Sequence, residues 1–494
     1  MQLRLRERAR RLSALLVMLV LVLPACTSQP VTPAYQTVST SHPLATQAAL
    51  RILDEGGNAF DAAIAAASVL AVVTPDEAPL GGGLLIWVEA AGKPAYVLDS
   101  LPALPESARK ADDTRTLLIP GVAAGLDHLY RKHARQTSGR LYADALRLAE
   151  RGVPGHPEIR PPVRVLKALA LRGSDGFYQG PFAQAFRQHV AQAGGRWTDD
   201  DLARYSPRQV APVTLNTPLG QLSLAPVSAS LATYRFATLS ALLERIPFPT
   251  LTDRVLAWRL LLDSEPAATP DVLWRAENPR DSDLADLRTE LEEYRRHPPA
   301  PVTPDLSAPD QPCSPAPATL AIEDRHGNHV LLVFWRPPAG ARAAELAGTG
   351  LTVFDVGGIP GGVASLPQQA HWPSAQAVAH WQGEAGTAWL AVSHPQDAAW
   401  PLFRVVQALA GNLPARIWQA EAPLCYLGHR TLMTPDPAAA RLRGQLSSQG
   451  LTVTAGTTGD HVSGVLRASR KRVPNALTED AHNPSRALVR TLQP

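Results

Sequence analysis

The sequence predicts an α+β protein in which helices pack on sheets within one large core. Asp61–Ala67 is so rich in small residues that a helix there would pack closely on nearly every side. Two apolar strand pairs are predicted at Leu84–Asp99 and Ala318–Trp335, each joined by a turn of polar or glycine-containing residues. Strand and helix patterns then alternate from Trp389 onward. Mixed strands and helices over 494 residues are typical of a layered domain.

The N-terminal half reads mostly as helix. Ala45–Val73 is helical material that is broken at Gly56-Gly57-Asn58, and Thr198–Asp201 resembles a capping box that starts a short helix. Val210–Leu224 has extended character. Apolar residues at helical spacing predict further helices over Gly121–Arg135, Leu141–Arg151, Phe182–Ala193, Ala229–Glu244, Asp253–Asp263 and Asp281–Arg296.

A proline-rich segment divides the chain. Pro298–Pro317 holds eight prolines in twenty residues, so it predicts an extended, mobile loop instead of helix or central strand. The strands Ala318–Glu323 and His329–Trp335 follow and flank a hairpin turn. Beyond them we predict strands and helices at Trp389–Ser393, Trp400–Ala410, Ala438–Gln449, Leu451–Ala455 and His461–Ala468.

The first 26 residues have the three parts of a secretory leader. Five arginines precede the run Leu12–Leu23, which is apolar except for Ser13 and too short to span a bilayer comfortably. The ending Leu23-Pro24-Ala25-Cys26 resembles a bacterial lipobox, although Pro24 is unusual there. We therefore expect cleavage before Cys26, lipidation of its thiol and an outer-membrane, periplasm-facing location; an ordinary signal peptide cut nearby is the alternative.

Charge and cysteine content exclude some classes of function. The net charge of +3 comes from the leader, because 42 basic and 43 acidic residues remain without it, and no interior basic stripe indicates nucleic-acid binding. We expect no metal or other cofactor, because the 14 histidines and three cysteines show no metal-site spacing. Cys313 and Cys425 remain after Cys26, and a disulfide between them is one interpretation.

Several motifs, in order and at matching spacing, resemble the γ-glutamyltransferase family. The opening motifs are His42–Gln47, Gly56–Ala63 and Leu80–Gly83, and Ile119–Leu126 continues the match. Asp324-x-x-Gly327-Asn328 and Gly348-Thr349-Gly350 fall where the family's smaller subunit begins. The resemblance covers roughly 40–489 and is dense only before about residue 210.

This resemblance implies a four-layer αββα sandwich of the N-terminal-nucleophile hydrolase type. It also implies an organisation along the chain: a lipoprotein signal peptide at 1–26, a linker at 27–40, a large-subunit region at 41–297, the proline-rich loop at 298–317, and a small-subunit region at 318–494. In that class the precursor cleaves itself before a Thr, Ser or Cys, which then attacks the substrate with its own α-amine as base.

The residues that align with the family's functional positions lack the required groups. The nucleophilic Thr aligns with Pro317, which has neither a hydroxyl nor a primary amine. The arginine that holds the substrate carboxylate aligns with Leu101. The oxyanion-hole glycines align with Gln396 and Asp397, where a carboxylate would repel developing negative charge. The remaining aligned positions are Ala318 and Thr319 after the nucleophile, Pro337 for an Asn, Gly358 for an acidic residue, and Ala364 and Ser365 for a Ser pair.

We therefore predict a family member without catalytic residues, not cleaved into subunits, that serves as an envelope binding or assembly protein for an unidentified partner. One alternative is an amidohydrolase with a displaced nucleophile at Cys313, Ser314 or Thr319. The other is an active γ-glutamyltransferase on glutathione-like substrates. His461 and His482 receive no role.

Overall fold

The computed structural model describes much of the chain beyond the leader, and Tyr35–Arg490 form one compact unit. The described residues are 35–106, 116–192, 194, 197–226, 230–244, 246, 250–263, 281–298, 316–335, 337, 341–346, 349–357, 375–411, 424–428, 431–434, 442–446, 451–455, 461–468, 475–479 and 487–491.

Two large sheets form the middle of the fold. The first has seven strands: β1 Tyr35–Thr40, β2 Leu84–Glu89, β3 Tyr96–Ser100, β4 Arg208–Val210, β7 Thr319–Glu323, β8 His329–Phe334 and β18 Ala487–Thr491. Their order across the sheet is β18-β1-β7-β8-β2-β3-β4. The second has six strands: β5 Val213–Thr217, β6 Gly220–Leu224, β11 Gln376–Gly383, β12 Gly386–Ser393, β16 His461–Ala468 and β17 Asn475–Glu479. Their order across the sheet is β17-β16-β12-β11-β6-β5.

Helices cover the outer faces, and smaller sheets complete the described part. The helices are α1 Pro43–Asp54, α2 Ala59–Val73, α3 Val122–His133, α4 Ser138–Leu141, α5 Ala143–Arg151, α6 Val163–Arg172, α7 Asp175–Tyr178, α8 Gly180–Gln192, α9 Asp199–Ala203, α10 Leu231–Glu244, α11 Leu251–Asp263, α12 Asp281–Arg296 and α13 Ala399–Ala410. A hairpin pairs β9 Arg342–Leu346 with β10 Leu351–Asp355. A three-stranded sheet joins β13 Cys425–Gly428, β14 Thr431–Thr434 and β15 Thr452–Ala455.

Side chains that alternate between the two faces of each strand divide the buried apolar residues into three layers. In β8, Val330 and Leu332 pack with the helix α2, while Leu331 and Val333 pack between the two sheets. In β12, Leu390 packs with α10, α11 and α13 on the other side of the sandwich. The order helix, sheet, sheet, helix confirms the predicted αββα sandwich.

Three of the motifs singled out in the sequence have structural explanations. Every residue of α2 is buried, and its N-terminus is closed by the Asn58 and Asp61 capping box. The Asp324 carboxylate accepts a hydrogen bond from Ala59 N at 2.9 Å, which ties the β7–β8 turn to the start of α2. A Cβ on Gly81 would lie 1.8 Å from the Thr352 carbonyl oxygen, so only glycine fits there.

Two sequence predictions need correction. Tyr35–Thr40 lies in the segment predicted as a linker but forms β1, because it pairs with β7 in an antiparallel register. The β9–β10 hairpin was not predicted, because mostly exposed residues of β9 give no apolar alternation. The hairpin of β7 and β8, the helices at Leu231–Glu244, Leu251–Asp263 and Asp281–Arg296, and the capping box at Thr198 are confirmed. Among the described residues, none of the helices is long and apolar enough to cross a membrane.

Candidate functional site

The residue aligned with the family's nucleophile lies two residues before β7, a strand of the first sheet. Pro317 is buried, and its carbonyl oxygen accepts a hydrogen bond from Ser393 Oγ at 2.5 Å. Ala318 N donates to the Glu77 carbonyl oxygen at 2.9 Å, and the Ala318 carbonyl accepts from Phe334 N at 2.9 Å. Backbone hydrogen bonds therefore fix both sides of the position, and Pro317 itself offers no nucleophile.

Thr319 lies at the start of β7, but its hydroxyl and backbone are engaged within the core. The side chain is fully buried, and Thr319 Oγ1 lies 2.9 Å from Ser463 Oγ on the facing sheet. Thr319 N donates to Ser41 Oγ at 3.3 Å, and the Thr319 carbonyl accepts from Ser41 N at 3.0 Å. Thr319 is therefore a core hydroxyl in a continuous strand. Cys313 and Ser314, the other candidates for a displaced nucleophile, lie outside the described residues.

The structure places His461 beside this position, which the sequence did not indicate. His461 lies directly opposite Ser393 in the antiparallel pairing of β12 with β16. Its Nε2 is 3.4 Å from Glu77 Oε2, and Glu77 is also the residue whose carbonyl binds Ala318 N. His461 and Glu77 carry no shared local motif, so only the fold brings them together. His482 lies outside the described residues.

The backbone amides aligned with the oxyanion hole are already occupied. Gln396 N and Asp397 N donate to His394 Nδ1 at 3.0 and 2.9 Å. His394 Nε2 lies 2.8 Å from the Leu424 carbonyl oxygen, so Nε2 carries the proton and Nδ1 is the acceptor. An oxyanion hole needs donors that point at the reacting carbonyl. These two amides instead hold the turn before α13.

Asp397 is a structural carboxylate, which differs from the expectation that it would face a developing oxyanion. It is completely buried, and its Oδ2 accepts a hydrogen bond from Trp258 Nε1 at 2.9 Å. Its Oδ1 accepts from Ala399 N at 3.2 Å and lies 3.9 Å from Arg235 Nη1. A carboxylate at the N-terminus of α13 also interacts favourably with the helix dipole. Asp397 therefore joins α11 and α13.

The other aligned positions are apolar or lie outside the described residues. Leu101 belongs to a small apolar cluster, so a substrate carboxylate would meet hydrocarbon there; its members are Leu101, Leu104, Leu118, Trp335, Phe354 and Val356. Pro337 is partly buried, whereas Gly358, Ala364 and Ser365 are not among the described residues.

Cys425 is buried and disulfide-bonded at the start of β13. Its Sγ lies 3.2 Å from Gln396 Oε1, next to the turn that carries Asp397. Cys26 and Cys313 lie outside the described residues, so lipidation of Cys26 and pairing of Cys313 with Cys425 stay predictions. Within the described ranges, groups of three or more His, Cys, Asp or Glu that could hold a metal ion are not found.

A family model matches the N-terminal part of the chain. The sequence model described as Gamma-glutamyltranspeptidase matches residues 45–163 and 162–271. Residues 45–271, somewhat less than half of the chain, are therefore similar to the γ-glutamyltranspeptidase family. The match ends before the proline-rich segment and before Pro317, in agreement with a resemblance that is dense in the N-terminal part.

Curated relatives match part of the chain at low identity. The oxamate amidohydrolase proenzyme of Klebsiella pneumoniae is 32% identical over 244 residues, covering 38% of this chain and 46% of that protein. The glutathione hydrolase proenzyme of Pseudomonas sp. (strain A14) is 26% identical over 241 residues, covering 38% of this chain and 42% of that protein. The chain thus spans less than half the length of the curated relatives it matches.

A solved structure extends the likeness in fold to nearly the whole chain. The cephalosporin acylase from Bacillus halodurans superimposes with a TM-score of 0.70 at 17% identity, covering 94% of this chain and 96% of that one. At that identity the comparison shows the fold alone, and it agrees with the αββα sandwich described above.

Proposed function

We propose that this chain is a non-catalytic γ-glutamyltranspeptidase homologue that acts as a binding or assembly protein at the cell envelope. The observation that carries the proposal is Pro317 at the nucleophile position. Self-cleavage and acyl transfer in this class both need a hydroxyl or thiol at the new N-terminus. Proline supplies neither, and the amide groups of Gln396 and Asp397 are already bonded to His394.

The filled site supports the proposal further. The hydroxyls of Ser393, Thr319, Ser41 and Ser463 hydrogen-bond to one another or to the local backbone, so these four groups are engaged within the protein. Replacing an enzyme's polar site by an internally satisfied network removes the unpaired donors that would hold a substrate. We infer that a partner binds to a surface of the protein away from Pro317.

The first experiment is electrophoresis under denaturing conditions with intact mass, on the chain from residue 27 onward. We expect one unprocessed chain and no hydrolysis of a γ-glutamyl anilide above a buffer control. Two fragments with a defined new N-terminus would contradict the proposal, and the terminal residue would identify the nucleophile. Cleavage before Thr319 that is lost in Thr319→Ala would establish the displaced-nucleophile amidohydrolase instead.

The envelope location is tested separately. We infer that Cys26 is lipidated and anchors the protein in the outer membrane, facing the periplasm, because the leader ends in a lipobox-like sequence. We expect the full-length chain to incorporate labelled fatty acid and to fractionate with outer membranes, and Cys26→Ser to lose the label. Label that persists in Cys26→Ser, or a soluble wild-type protein, would contradict the anchor. Crosslinking of the anchored protein in cells would then give its partners.

A further inference from the structure

Two histidines and a tyrosine converge on one point on the outer side of the first sheet. Tyr96 opens β3, His128 lies within α3 and His133 is the last residue of α3. Tyr96 Oη lies 3.2 Å from His128 Nε2 and 3.0 Å from His133 Nε2. All three side chains are partly exposed, and none has a part in the site around Pro317.

Neighbouring groups fix the orientation of these rings. Phe60 stacks on His133 with ring centroids 4.3 Å apart, and Asn58 Nδ2 donates to the His133 carbonyl at 2.6 Å. The ring of Tyr96 meets that of His128 edge-on at 6.0 Å. The arrangement is therefore built from three elements before any ligand arrives, which lowers the ordering cost of binding one.

The protonation states suit a cation. Burial, together with the charges of Lys132 and His133, lowers the pKa of His128 to about 4. Burial and Lys132 also lower the pKa of His133. Both imidazoles are therefore neutral near pH 7, the form in which histidine binds metal ions. The phenol has one hydrogen to share between two nitrogens, so one histidine must donate to Tyr96 and the other accept from it.

We propose that Tyr96, His128 and His133 form a binding site for a divalent transition metal ion such as Cu²⁺ or Zn²⁺. Imidazole nitrogen is a preferred ligand of both ions. A tetrahedral site with bonds of about 2.0–2.1 Å separates its ligand atoms by roughly 3.3–3.4 Å. The observed separations from Tyr96 Oη need to grow by only a few tenths of an ångström.

Binding would change the protonation of the site in a balanced way. The histidine that donates to Tyr96 moves its proton from Nε2 to Nδ1 by exchange with solvent, and the other histidine already carries its proton on Nδ1. The metal then takes a lone pair from each Nε2, and the phenol proton of Tyr96 leaves to solvent as the metal–oxygen bond forms. Burial raises the pKa of Tyr96 to about 12, so the metal's own charge must drive this loss. Water completes the coordination. Lys132 lies on the same helix and opposes binding, whereas Asp127 favours it.

The test is calorimetric titration of Cu²⁺ into chelator-treated, tag-free protein from residue 27 onward, in a buffer that does not bind metals. We expect one equivalent to bind and the affinity to fall at least tenfold in His128→Gln/His133→Gln. The matched control is His156→Gln/His297→Gln, which removes two exposed histidines that each contact a glutamate. This control should bind as the parent does.

Two further measurements keep the proposal falsifiable if the double variant folds poorly. Tyr96→Phe keeps the ring and removes only the oxygen, so we expect weaker Cu²⁺ binding with unchanged circular dichroism. Electron paramagnetic resonance of the one-equivalent complex should show hyperfine coupling to two nitrogens. Absence of a stoichiometric site, or a site that survives in the double variant and in Tyr96→Phe, would show that the cluster is a hydrogen-bond network only.

Discussion

Replacing Asp397 by asparagine removes one charge and exchanges one oxygen for an NH₂ group at the centre of the second helical layer. The wild-type carboxylate receives Trp258 Nε1 on one oxygen and Ala399 N on the other. Asparagine has a single acceptor oxygen, so one of these two donors must face an NH₂ group. An unpaired buried donor costs about 1–3 kcal/mol, and loss of the charge at the N-terminus of α13 adds about 0.3–1 kcal/mol. We therefore expect Asp397→Asn to lower the free energy of unfolding by about 1–4 kcal/mol.

The measurement is urea denaturation followed by tryptophan fluorescence, with Asp200→Asn as the matched control. Asp200 makes an ion pair with Arg204 at 2.9 Å in which both side chains are more than 70% exposed, at 73% and 74%. Loss of such a pair should cost less than about 1 kcal/mol. Equal effects of the two substitutions would refute the structural role of Asp397 and return it to consideration as a group directed at a ligand.

Three further predictions concern the nucleophile position, the glycine motif and the dependence of stability on pH. Pro317→Thr should remain one chain on denaturing gels and should not hydrolyse a γ-glutamyl anilide, because the amides aligned with the oxyanion hole stay bonded to His394. Self-cleavage of this variant would show that only the nucleophile was missing. Gly81→Ala should lower the free energy of unfolding by about 1–3 kcal/mol, because the new Cβ would collide with the Thr352 carbonyl oxygen. The control is Gly139→Ala, where a Cβ meets nothing within 4 Å, and its free energy of unfolding in the same urea titration should be nearly unchanged. Burial lowers the pKa of His329 to about 4, so the unfolded chain takes up the proton first as the pH falls below about 6.5. The contribution of His329 to stability is therefore complete above pH 6.5 and is lost as the pH falls toward 4. We expect the urea midpoint of His329→Gln to fall less than that of the parent over this pH range. An equal dependence of the midpoint on pH in the two proteins would contradict this assignment.

Local sequence patterns were enough to predict those helices and strands whose own residues indicate that they are buried. The helix α2 follows from its run of small residues, because a helix without large side chains needs close neighbours on every face. The β7–β8 hairpin follows from two apolar runs around Asp324–Asn328. The strand β1 did not follow, because its pairing partner β7 lies far away in the chain.

At the candidate site the sequence determined which chemical groups are present, and the tertiary structure decided what those groups do. Pro317 can be recognised as a missing nucleophile from the sequence, since no fold can give proline a hydroxyl. The pairing of His461 with Glu77, and the bond from Trp258 to Asp397, depend on segments that meet only in the folded chain. A hydrogen bond depends on distance and direction in space, and spacing along the sequence contains neither for residues on different elements.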